Sequence, residues 1–361
     1  MAKKLAFDKL LFTAVIVLLA VGLTMVYSAS SALAREAPGG RNPFLVKQVL
    51  AAVIGLVGMW LAMHLDYRVL GKRPAVYLGL AVVLGLLVAA LLQPALNGTN
   101  RWILFGGISF QPSELAKLVV VAYIAYQVAR QEEREHIYEL IVPCAMAIAV
   151  FAGFIMLQPD MGTAGLLAIV GAIMLFVAGV PWRFFLGGAT ALVPLAFLAV
   201  RLEPYRWQRV MAFLDPEKYQ LGAGFQADQS LVAVGSGGLF GLGLGGSIQK
   251  LHYLPYPHSD FIFSIVAEEL GLLGAAALLV LFALLLWRGV RAGWRAPDVF
   301  GRHLAWGLTA VLVLQALVHV SVGLSLLPTT GVPLPFLSAG GSSLIASLLA
   351  CGILLNVSQH A

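Results

Sequence analysis

The sequence has little charge and almost no cysteine. Asp, Glu, Lys and Arg make up 11% of its 361 residues, and hydrophobic residues make up 60%. Because a soluble domain carries roughly a quarter charged residues, this composition excludes a soluble globular protein and indicates an integral membrane protein. The two cysteines, Cys144 and Cys351, each lie inside an apolar run with no second Cys or His at ligand spacing. A disulfide framework, a zinc site and a haem site are therefore not expected.

Basic residues outnumber acidic ones, and the formal net charge is +6. In a soluble chain this excess would suggest nucleic acid, but most basic residues here lie in short clusters between apolar runs, where they set membrane topology. A cytoplasmic N-terminus places the following residues on the cytoplasmic side: Lys3, Lys4, Lys9, Arg68, Lys72, Arg73, Arg130, Arg134, Arg183, Arg288, Arg291, Arg295 and Arg302. The sequence thus predicts cytoplasmic N- and C-termini and no nucleic-acid partner.

Apolar runs of roughly 20 residues, the length that crosses a bilayer, recur along the whole chain. They lie near residues 10–30, 45–65, 75–93, 112–129, 139–157, 161–180, 183–200, 261–287, 303–326 and 337–357. The pattern predicts an all-α polytopic membrane protein of about ten transmembrane helices, forming a single domain over residues 1–361. Residues 201–259 are expected to form a large extracytoplasmic loop between helices seven and eight.

The first run, Leu10 to Tyr27, is followed by Ala32-Leu33-Ala34, which resembles a signal-peptidase site. The run is longer than the roughly 7 to 15 apolar residues of a secretory signal. We therefore expect an uncleaved signal anchor.

Polar residues at the extracytoplasmic helix ends are the first candidate functional residues. Glu114 and Lys117 are three residues apart on one helix face, so they either form a structural ion pair or line an aqueous cavity. Asp160, in the reversal QPDMGT, suits an N-cap. Arg206 and Arg209 flank a tryptophan, which suits either anchoring among lipid headgroups or binding of a phosphate.

A glycine-dense stretch, GSGGLFGLGLGG at residues 235–246, precedes the next candidates. It has no P-loop spacing and no following Lys-Ser/Thr, so nucleotide binding is not expected, whereas close packing or a re-entrant hairpin is. Lys250 and His258 then flank the approach to Asp260. The histidine serves either as a structural donor or directly in the site.

Asp260 lies in YPHSDFIF, residues 256–263, at an extracytoplasmic helix end among phenylalanines. Ser259 offers a cap there, so capping does not explain the acid, and its apolar surroundings suit a general base. Glu268 lies about 12 Å further along the helix and could serve the same cavity without contact. Glu269 points elsewhere.

Several motifs occur in order: QPSELAKL, QPDMGT, RWQRVMAFLDP, GSGG…GLGLGGSIQKLHYLP, HSDFIFSIVAEELG and TGVPLPFLSAGGSS. Together they resemble the SEDS (shape, elongation, division and sporulation) membrane proteins over nearly the whole chain. Thr330, where the division branch FtsW typically has Lys, resembles the rod-shape branch RodA. Tyr256 and Ala339 depart from the family's usual Glu and Tyr, so contacts of those side chains are not transferred. Ser259 replaces the common Thr conservatively.

The resemblance implies a ten-helix fold and a peptidoglycan glycosyltransferase that polymerises lipid II at the outer face of the bacterial cytoplasmic membrane during cell elongation. It implies Asp260 as the catalytic residue, a general base that activates the acceptor 4-hydroxyl while polyprenyl pyrophosphate leaves. A divalent cation, Mg²⁺ or Mn²⁺, is an alternative to basic residues for stabilising the leaving group. The supporting candidates for substrate binding are Glu114, Lys117, Asp160, Arg206, Arg209, Lys250, His258, Glu268 and Ser342.

The partners implied by the resemblance are lipid II, the growing glycan strand, membrane lipid and a class B penicillin-binding protein that cross-links the product. Small residues on the last two helices, Gly323, Ala346 and Gly352, would either permit close approach of a partner helix or serve internal packing. Two other functions stay open. A lipid II flippase would use Glu114, Lys117 and Glu268 as a polar track, and a non-catalytic scaffold would recruit the penicillin-binding protein.

Overall fold

The computed structural model describes residues 7–31, 42–94, 99–105, 108–131, 136–215, 217–219, 223–251 and 253–360. The signal-peptidase-like segment Ala32-Leu33-Ala34 lies outside these residues, as do Lys3, Lys4 and Arg134. The α-helices are α1 (Lys9–Ala29), α2 (Pro43–His64), α3 (Arg73–Leu91), α4 (Pro112–Ala129), α5 (Tyr138–Leu157), α6 (Met161–Val177), α7 (Trp182–Arg201), α8 (Pro204–Leu214), α9 (Ala223–Ser236), α10 (Ile262–Arg295), α11 (Val299–Gly323) and α12 (Gly341–Gln359). Short 3₁₀ helices span Tyr67–Gly71 and Glu217–Tyr219.

Every predicted membrane segment coincides with one of the helices α1–α7 and α10–α12. Among the described residues, eight helices are long and apolar enough to cross a membrane. The other two segments are α6, which is apolar but has 17 residues, and α4, which contains Glu114 and Lys117. The prediction of an all-α polytopic membrane protein is confirmed.

A small β-hairpin interrupts this helical architecture before α4. Strands β1 (Ile103–Phe105) and β2 (Ile108–Phe110) pair antiparallel, with Ile103 opposite Phe110. The sequence did not predict the hairpin, because each strand has only three residues.

The bundle is built around α11. This helix packs against α4, α6, α10 and α12, and most of its residues are buried. In turn, α12 packs along α2. In contrast, α7 has no buried residue and lies at the periphery. Residues that α11 presents to its neighbours are therefore the ones best fixed in position.

The small residues on α11 and α12 pack inside this bundle. A Cβ added to Gly352 would lie 2.6 Å from the Met59 carbonyl oxygen, and one added to Gly323 would lie 3.1 Å from Ser264 Oγ. Ala346 is also buried. Of the two explanations left open for these residues, the structure supports internal packing.

The glycine-dense stretch packs into a break in α10. At Gly271 the helix backbone leaves helical geometry, with φ +67° and ψ −169°. The Leu242 and Gly243 N–H groups donate to the freed carbonyls of Glu268 and Glu269, each at 3.0 Å, and Leu272 N–H donates back to Gly238 O at 2.9 Å. A broken helix is tolerated in a membrane protein only where neighbouring groups satisfy its backbone. The predicted close packing is thus confirmed.

Glycine is required on both sides of this contact. Gly241 has φ +80°, and a Cβ there would lie 2.2 Å from the Glu269 carbonyl oxygen. At Gly271, a Cβ would lie 2.4 Å from the Gly241 nitrogen. Two backbones can approach this closely only because neither residue has a side chain.

Both chain ends and the basic end of α10 lie at the same end of the bundle. Arg288 Nε donates to Asp8 Oδ2 at 2.7 Å, and the Asp8 N–H donates to Ser358 Oγ at 3.2 Å. This agrees with the predicted clustering of basic residues on one side. That this side is cytoplasmic remains a prediction.

Of the two predicted helix caps, Ser259 and Asp160, one is wrong and one is confirmed. The first residue of α4 is Pro112, so Gln111 occupies the N-cap position, and its Nε2 donates to Ser113 Oγ at 3.0 Å. Because α10 begins only at Ile262, Ser259 does not cap it, and no side chain does. Asp160 does cap α6, with Oδ1 accepting from Thr163 N–H at 3.0 Å.

Candidate functional site

Asp260 lies in a tight turn just before α10 begins at Ile262. The N–H groups of Ser259 and Asp260 both donate to Tyr256 O at 3.2 Å, and Tyr256 adopts the left-handed region with φ +54°. The Asp260 residue is half-buried. Within the part of the chain that the structure describes, its carboxylate has no hydrogen bond and no ion pair. The described protein groups therefore leave both carboxylate oxygens without a hydrogen-bond donor.

The connection between α11 and α12 closes around this turn. A Cβ added to Gly331 would lie 3.8 Å from Asp260 Oδ2. Ser338 Oγ donates to Ser259 O at 2.7 Å, and the Ala339 N–H donates to His258 O at 2.8 Å. The motif TGVPLPFLSAGGSS thus forms one wall of the site and holds the turn that carries the acid.

Two histidines lie within the electrostatic field of Asp260. The His258 ring packs on Phe44, with the ring centroids 4.2 Å apart, and its Nδ1 has no hydrogen-bond partner among the described residues. Burial lowers the pKa of His258 below its ordinary value of 6.5, and the negative charge of Asp260 opposes that shift. The ring is therefore neutral at neutral pH.

His319 on α11 was not among the predicted site residues. Its Nδ1 lies 2.8 Å from Val332 O, which can only accept, so Nδ1 carries the proton and Nε2 is an acceptor. Nε2 is buried, and no described group bonds to it. A single histidine inside an apolar helix gives no motif signal, which is why the sequence did not single it out.

Glu114 and Lys117 form a buried ion pair. Lys117 Nζ donates to Glu114 Oε2 at 2.9 Å and to Gln315 Oε1 at 2.6 Å, and Gln315 Nε2 donates to Pro333 O at 2.8 Å. The structural ion-pair interpretation fits this geometry, although Glu114 Oε1 has no partner in the part of the chain that the structure describes. Gln315 lies one helical turn before His319, so the pair supports the wall beside Asp260. Gln315 was also absent from the predictions.

Asp160 and Ser342 are joined through Gln111. Gln111 Nε2 donates to Asp160 Oδ2 at 3.1 Å, and the Gln111 N–H donates to Ser342 Oγ at 3.0 Å. Arg101 Nη1 lies 3.9 Å from the same Asp160 oxygen. These contacts connect the starts of α4, α6 and α12 at the end of the bundle that carries the candidate site.

Glu268 and Glu269 bind the glycine-rich loop, residues 237–251, which follows α9. Glu268 accepts from Ser247 Oγ at 2.5 Å and from the Ile248 N–H at 2.9 Å. Glu269 accepts from Lys250 Nζ at 2.7 Å and from Ser28 Oγ at 2.7 Å. Both carboxylates are fully buried. The charged atoms of Glu268 and Lys250, predicted to serve the approach to Asp260, are thus bonded within this cluster.

Ser247 and Lys250 have the Ser-x-x-Lys spacing of penicillin-binding proteins. However, the Ser247 hydroxyl donates to Glu268, and the lysine pairs with Glu269. The two residues therefore stabilise the loop and do not form an acylation site.

Arg206 and Arg209 donate to neutral groups. Arg206 Nη1 donates to Ala199 O at 3.2 Å, near the end of α7. Arg209 Nη1 donates to Thr329 O at 2.9 Å, and its guanidinium lies 4.5 Å from the centre of the Tyr205 ring. Arg209 therefore reaches the segment that contains Gly331, and its charge is not compensated by a described carboxylate.

A metal cage is not evident among the described residues. No three His, Cys, Asp or Glu side chains converge there. The expected Mg²⁺ or Mn²⁺ therefore stays a prediction.

Known proteins match this chain over nearly its full length. The family described as cell cycle protein, FtsW/RodA/SpoVE, matches residues 8–361. The probable peptidoglycan glycosyltransferase FtsW of Geobacter sp. is 42% identical over 357 residues, covering 98% of this chain and 97% of the relative. Stage V sporulation protein E of Bacillus subtilis is 41% identical over 371 residues, covering 99% and 98%.

Solved structures also match this chain over nearly its full length. One, reported as structural coordination of polymerization and crosslinking by a peptidoglycan synthase complex, matches with TM-score 0.79 and 33% identity over 98% of both chains. The rod shape determining protein RodA of Thermus thermophilus matches with TM-score 0.72 and 30% identity, covering 98% of this chain and 97% of that one. The chain therefore belongs to the FtsW/RodA/SpoVE family, which is the SEDS family that its motifs resemble.

Proposed function

We propose that this chain polymerises lipid II into glycan strands at the outer face of the bacterial cytoplasmic membrane, with Asp260 as the general base. The chain is an enzyme, a peptidoglycan glycosyltransferase like its named relatives. One observation carries the proposed role of Asp260. Among the candidate carboxylates, Glu114, Asp160, Glu268 and Glu269 are each bonded to protein donors, whereas Asp260 has no partner among the described residues.

The proposed reaction is a displacement at the anomeric carbon of the donor. Asp260 removes the proton of the acceptor 4-hydroxyl while the hydroxyl oxygen forms a bond to the anomeric carbon. The bond from the carbon to the pyrophosphate oxygen breaks, and polyprenyl pyrophosphate leaves with the electron pair. A half-buried acid at a helix mouth suits this step, because lipid-linked sugars present their headgroups at the membrane surface.

Arg209 is the basic residue that we propose for the leaving group. Lys117 and Lys250 are each paired with a buried glutamate, so their charge is already compensated. Arg209 donates to a neutral carbonyl in the segment that approaches Asp260. A cation placed where negative charge develops stabilises the transition state. Arg206 binds the end of α7 and is the natural comparison.

The rival functions fit the contacts less well. The polar track of a flippase would use Glu114, Lys117 and Glu268, but each of these side chains is buried and bonded to protein groups. If the protein were a non-catalytic scaffold, Asp260, which has no partner among the described residues, would have no role.

The role in elongation and the partner are further parts of the proposal. Thr330 supports the RodA branch, although named relatives include FtsW and stage V sporulation protein E. A structural neighbour comes from a complex in which polymerization and crosslinking are coordinated, which supports a class B penicillin-binding protein as partner. Complementation of cells depleted of RodA or of FtsW tests the branch, and co-purification from mild detergent tests the partner.

The direct test of function is incubation of the purified protein with lipid II, followed by gel analysis of the products. The wild-type chain should produce a ladder of glycan strands, and the Asp260→Asn variant should not. A chelator titration in the same assay tests the predicted cation. Translocation of labelled lipid II across vesicles without any polymer would support the flippase instead.

A further inference from the structure

The connection between α11 and α12, residues 324–340, lies against Asp260 without regular structure of its own. The structure describes all of these residues, and none of them belongs to a helix or a strand. At Gly331, which adopts φ +71°, a Cβ would lie 3.8 Å from Asp260 Oδ2. Because no ladder of backbone hydrogen bonds fixes the connection, its position beside the carboxylate depends on bonds from neighbouring side chains.

Two side chains of α11 hold the carbonyls that follow Gly331. His319 Nδ1 donates to Val332 O, and Gln315 Nε2 donates to Pro333 O, each at 2.8 Å. The two donors are four residues apart and therefore lie on one face of the helix. Val332 is buried, and a buried carbonyl is costly to leave without a donor. We call His319 and Gln315 the α11 clamp.

The donor atoms of the α11 clamp are fixed by their surroundings. Lys117 Nζ can only donate, and it lies 2.6 Å from Gln315 Oε1, so the amide nitrogen of Gln315 faces Pro333 O. Lys117 is held in turn by Glu114, with Nζ 2.9 Å from Oε2. The buried ion pair therefore orients the Gln315 amide toward the connection.

The connection also holds the turn that contains Asp260. The Leu334 N–H donates to Ser338 Oγ at 2.8 Å, and the Ser338 hydroxyl donates to Ser259 O at 2.7 Å. Ser259 is covalently joined to Asp260. A serine hydroxyl can accept and donate at once, so a continuous series of bonds runs from Val332 through Ser338 to Asp260.

The opposite side of the connection packs on α6. A Cβ added to Gly162 would lie 2.7 Å from Val332 Cγ2 and 3.1 Å from Thr330 O. The connection is thus confined between close packing on α6 and two hydrogen bonds from α11. Removing one of these bonds frees the connection on the α11 side only, so we expect a displaced segment and not an unfolded protein.

His303, on the same helix, shows that a buried histidine there needs no long-range partner. Its Nδ1 lies 3.0 Å from Val299 O, four residues earlier in α11. His319 instead bonds to a residue thirteen positions later, beside the candidate site. A histidine that only filled the core could use the local bond, so the long-range bond points to a role in positioning.

We infer that His319 and Gln315 are positioning residues for the glycosyl transfer. By fixing the two carbonyls after Gly331, they keep the turn of Asp260 where the carboxylate can reach the acceptor hydroxyl. A general base must lie within hydrogen-bond distance of the proton that it removes, and a displacement of about 1 Å costs roughly 10²-fold in rate. The inference rests on the proposed role of Asp260.

The test measures lipid II polymerisation, melting temperature and amide hydrogen exchange in the purified full-length protein. In His319→Leu, kcat should fall by about 10²-fold while KM for lipid II stays near the wild-type value, because the substrate contacts are unchanged. Peptides covering residues 329–340 should exchange faster in this variant. His319→Asn should restore most of kcat, since the asparagine N–H₂ lies near the position of Nδ1 and can donate to Val332 O.

His303→Leu is the matched control, because it removes a buried histidine from the same helix without altering a bond to the connection. Its kcat and its exchange over residues 329–340 should match the wild-type values. Gln315→Met removes the other bond of the α11 clamp and covers the case in which His319→Leu folds poorly. It should show the same loss of kcat at unchanged KM.

Wild-type kcat in folded His319→Leu, no rescue by His319→Asn, or an equal loss in His303→Leu would each overturn the inference. Unchanged exchange over residues 329–340 in His319→Leu would also overturn it, whether or not the chain polymerises lipid II. An inactive wild-type chain would overturn the proposed function itself, and this outcome is distinct because the activity is then absent before any substitution.

Discussion

Two groups of acids on the same stretch of chain have opposite environments. Asp260, before α10, is half-buried and has no side-chain partner within the described residues. Glu268 and Glu269, just before the break in α10, are fully buried, and each accepts several hydrogen bonds from the glycine-rich loop. A buried carboxylate is costly unless it is paired or hydrogen-bonded. The difference indicates that Glu268 and Glu269 stabilise the fold, whereas Asp260 is available for chemistry.

Two basic residues, Lys250 and Arg209, show the same contrast between a paired and an available charge. Lys250 is paired with Glu269 and holds the loop, whereas Arg209 donates to a neutral carbonyl beside the site. Removing a partner from the paired group should cost stability, whereas removing charge from the available group should cost activity.

The largest effect is expected for Glu269→Ala. It leaves the Lys250 ammonium buried without its counter-ion, and breaking such a pair costs about 3–5 kcal/mol. The measurement is the melting temperature in detergent. The double variant Lys250→Met/Glu269→Met removes both charges and should recover much of the loss. If Glu269→Ala melted like the wild type, the structural role of this pair would be wrong.

Arg209→Ala should reduce lipid II polymerisation by about 10²-fold, because a donor aimed at developing negative charge contributes on this scale. Folding should change little, since Arg209 is only partly buried and donates to a single backbone carbonyl. Arg206→Ala is the control and should retain most activity, because Arg206 binds the end of α7. A larger loss in Arg206→Ala would reverse the assignment of the two arginines.

Gly241→Ala should destabilise the protein by about 1–3 kcal/mol, since alanine would be strained at φ +80° and its Cβ would meet the Glu269 carbonyl. Gly187→Ala on α7 is the matched control. A Cβ there meets nothing within 4 Å, so this variant should melt at or slightly above the wild-type temperature. Equal melting of the two variants would mean that the loop does not pack against α10.

The smallest effect is expected for His258→Phe, which keeps the ring packing on Phe44. Because burial lowers the folded-state pKa of His258, the unfolded chain binds a proton more readily below its ordinary pKa of 6.5. Stability should therefore fall as the pH drops from 6.5 toward the folded-state pKa. The variant should lose less stability than the wild type over this range, as measured by melting at several pH values.

The sequence predicted the structural features that depend on residues close together along the chain. Apolar run length predicted the membrane helices, and the QPDMGT reversal predicted the Asp160 cap. The spacing of Glu114 and Lys117 offered an ion pair as one of two alternatives, and the structure has that pair. Glycine density indicated close packing, although it did not identify α10 as the element contacted.

The contacts that complete the site are long-range. Gln315 and His319 bond to the segment before α12, and Glu268 bonds to a loop about twenty residues earlier. No periodicity or spacing predicts such pairings, since they depend on how α11 packs in the bundle. For the same reason the sequence could not show that Lys250 is paired with Glu269 whereas Arg209 has no carboxylate partner within the described residues.

The most direct test of the central claim compares Asp260→Asn with Glu268→Gln in one preparation series, measuring lipid II polymerisation and melting temperature together. Asp260→Asn should lose polymerisation by about 10²- to 10⁴-fold, the usual contribution of a general base, while its melting temperature stays at the wild-type value. Glu268→Gln should melt lower, because an amide N–H₂ would face the loop donors, yet polymerise lipid II while folded. Wild-type turnover by Asp260→Asn, or an inactive Glu268→Gln with wild-type stability, would contradict the account.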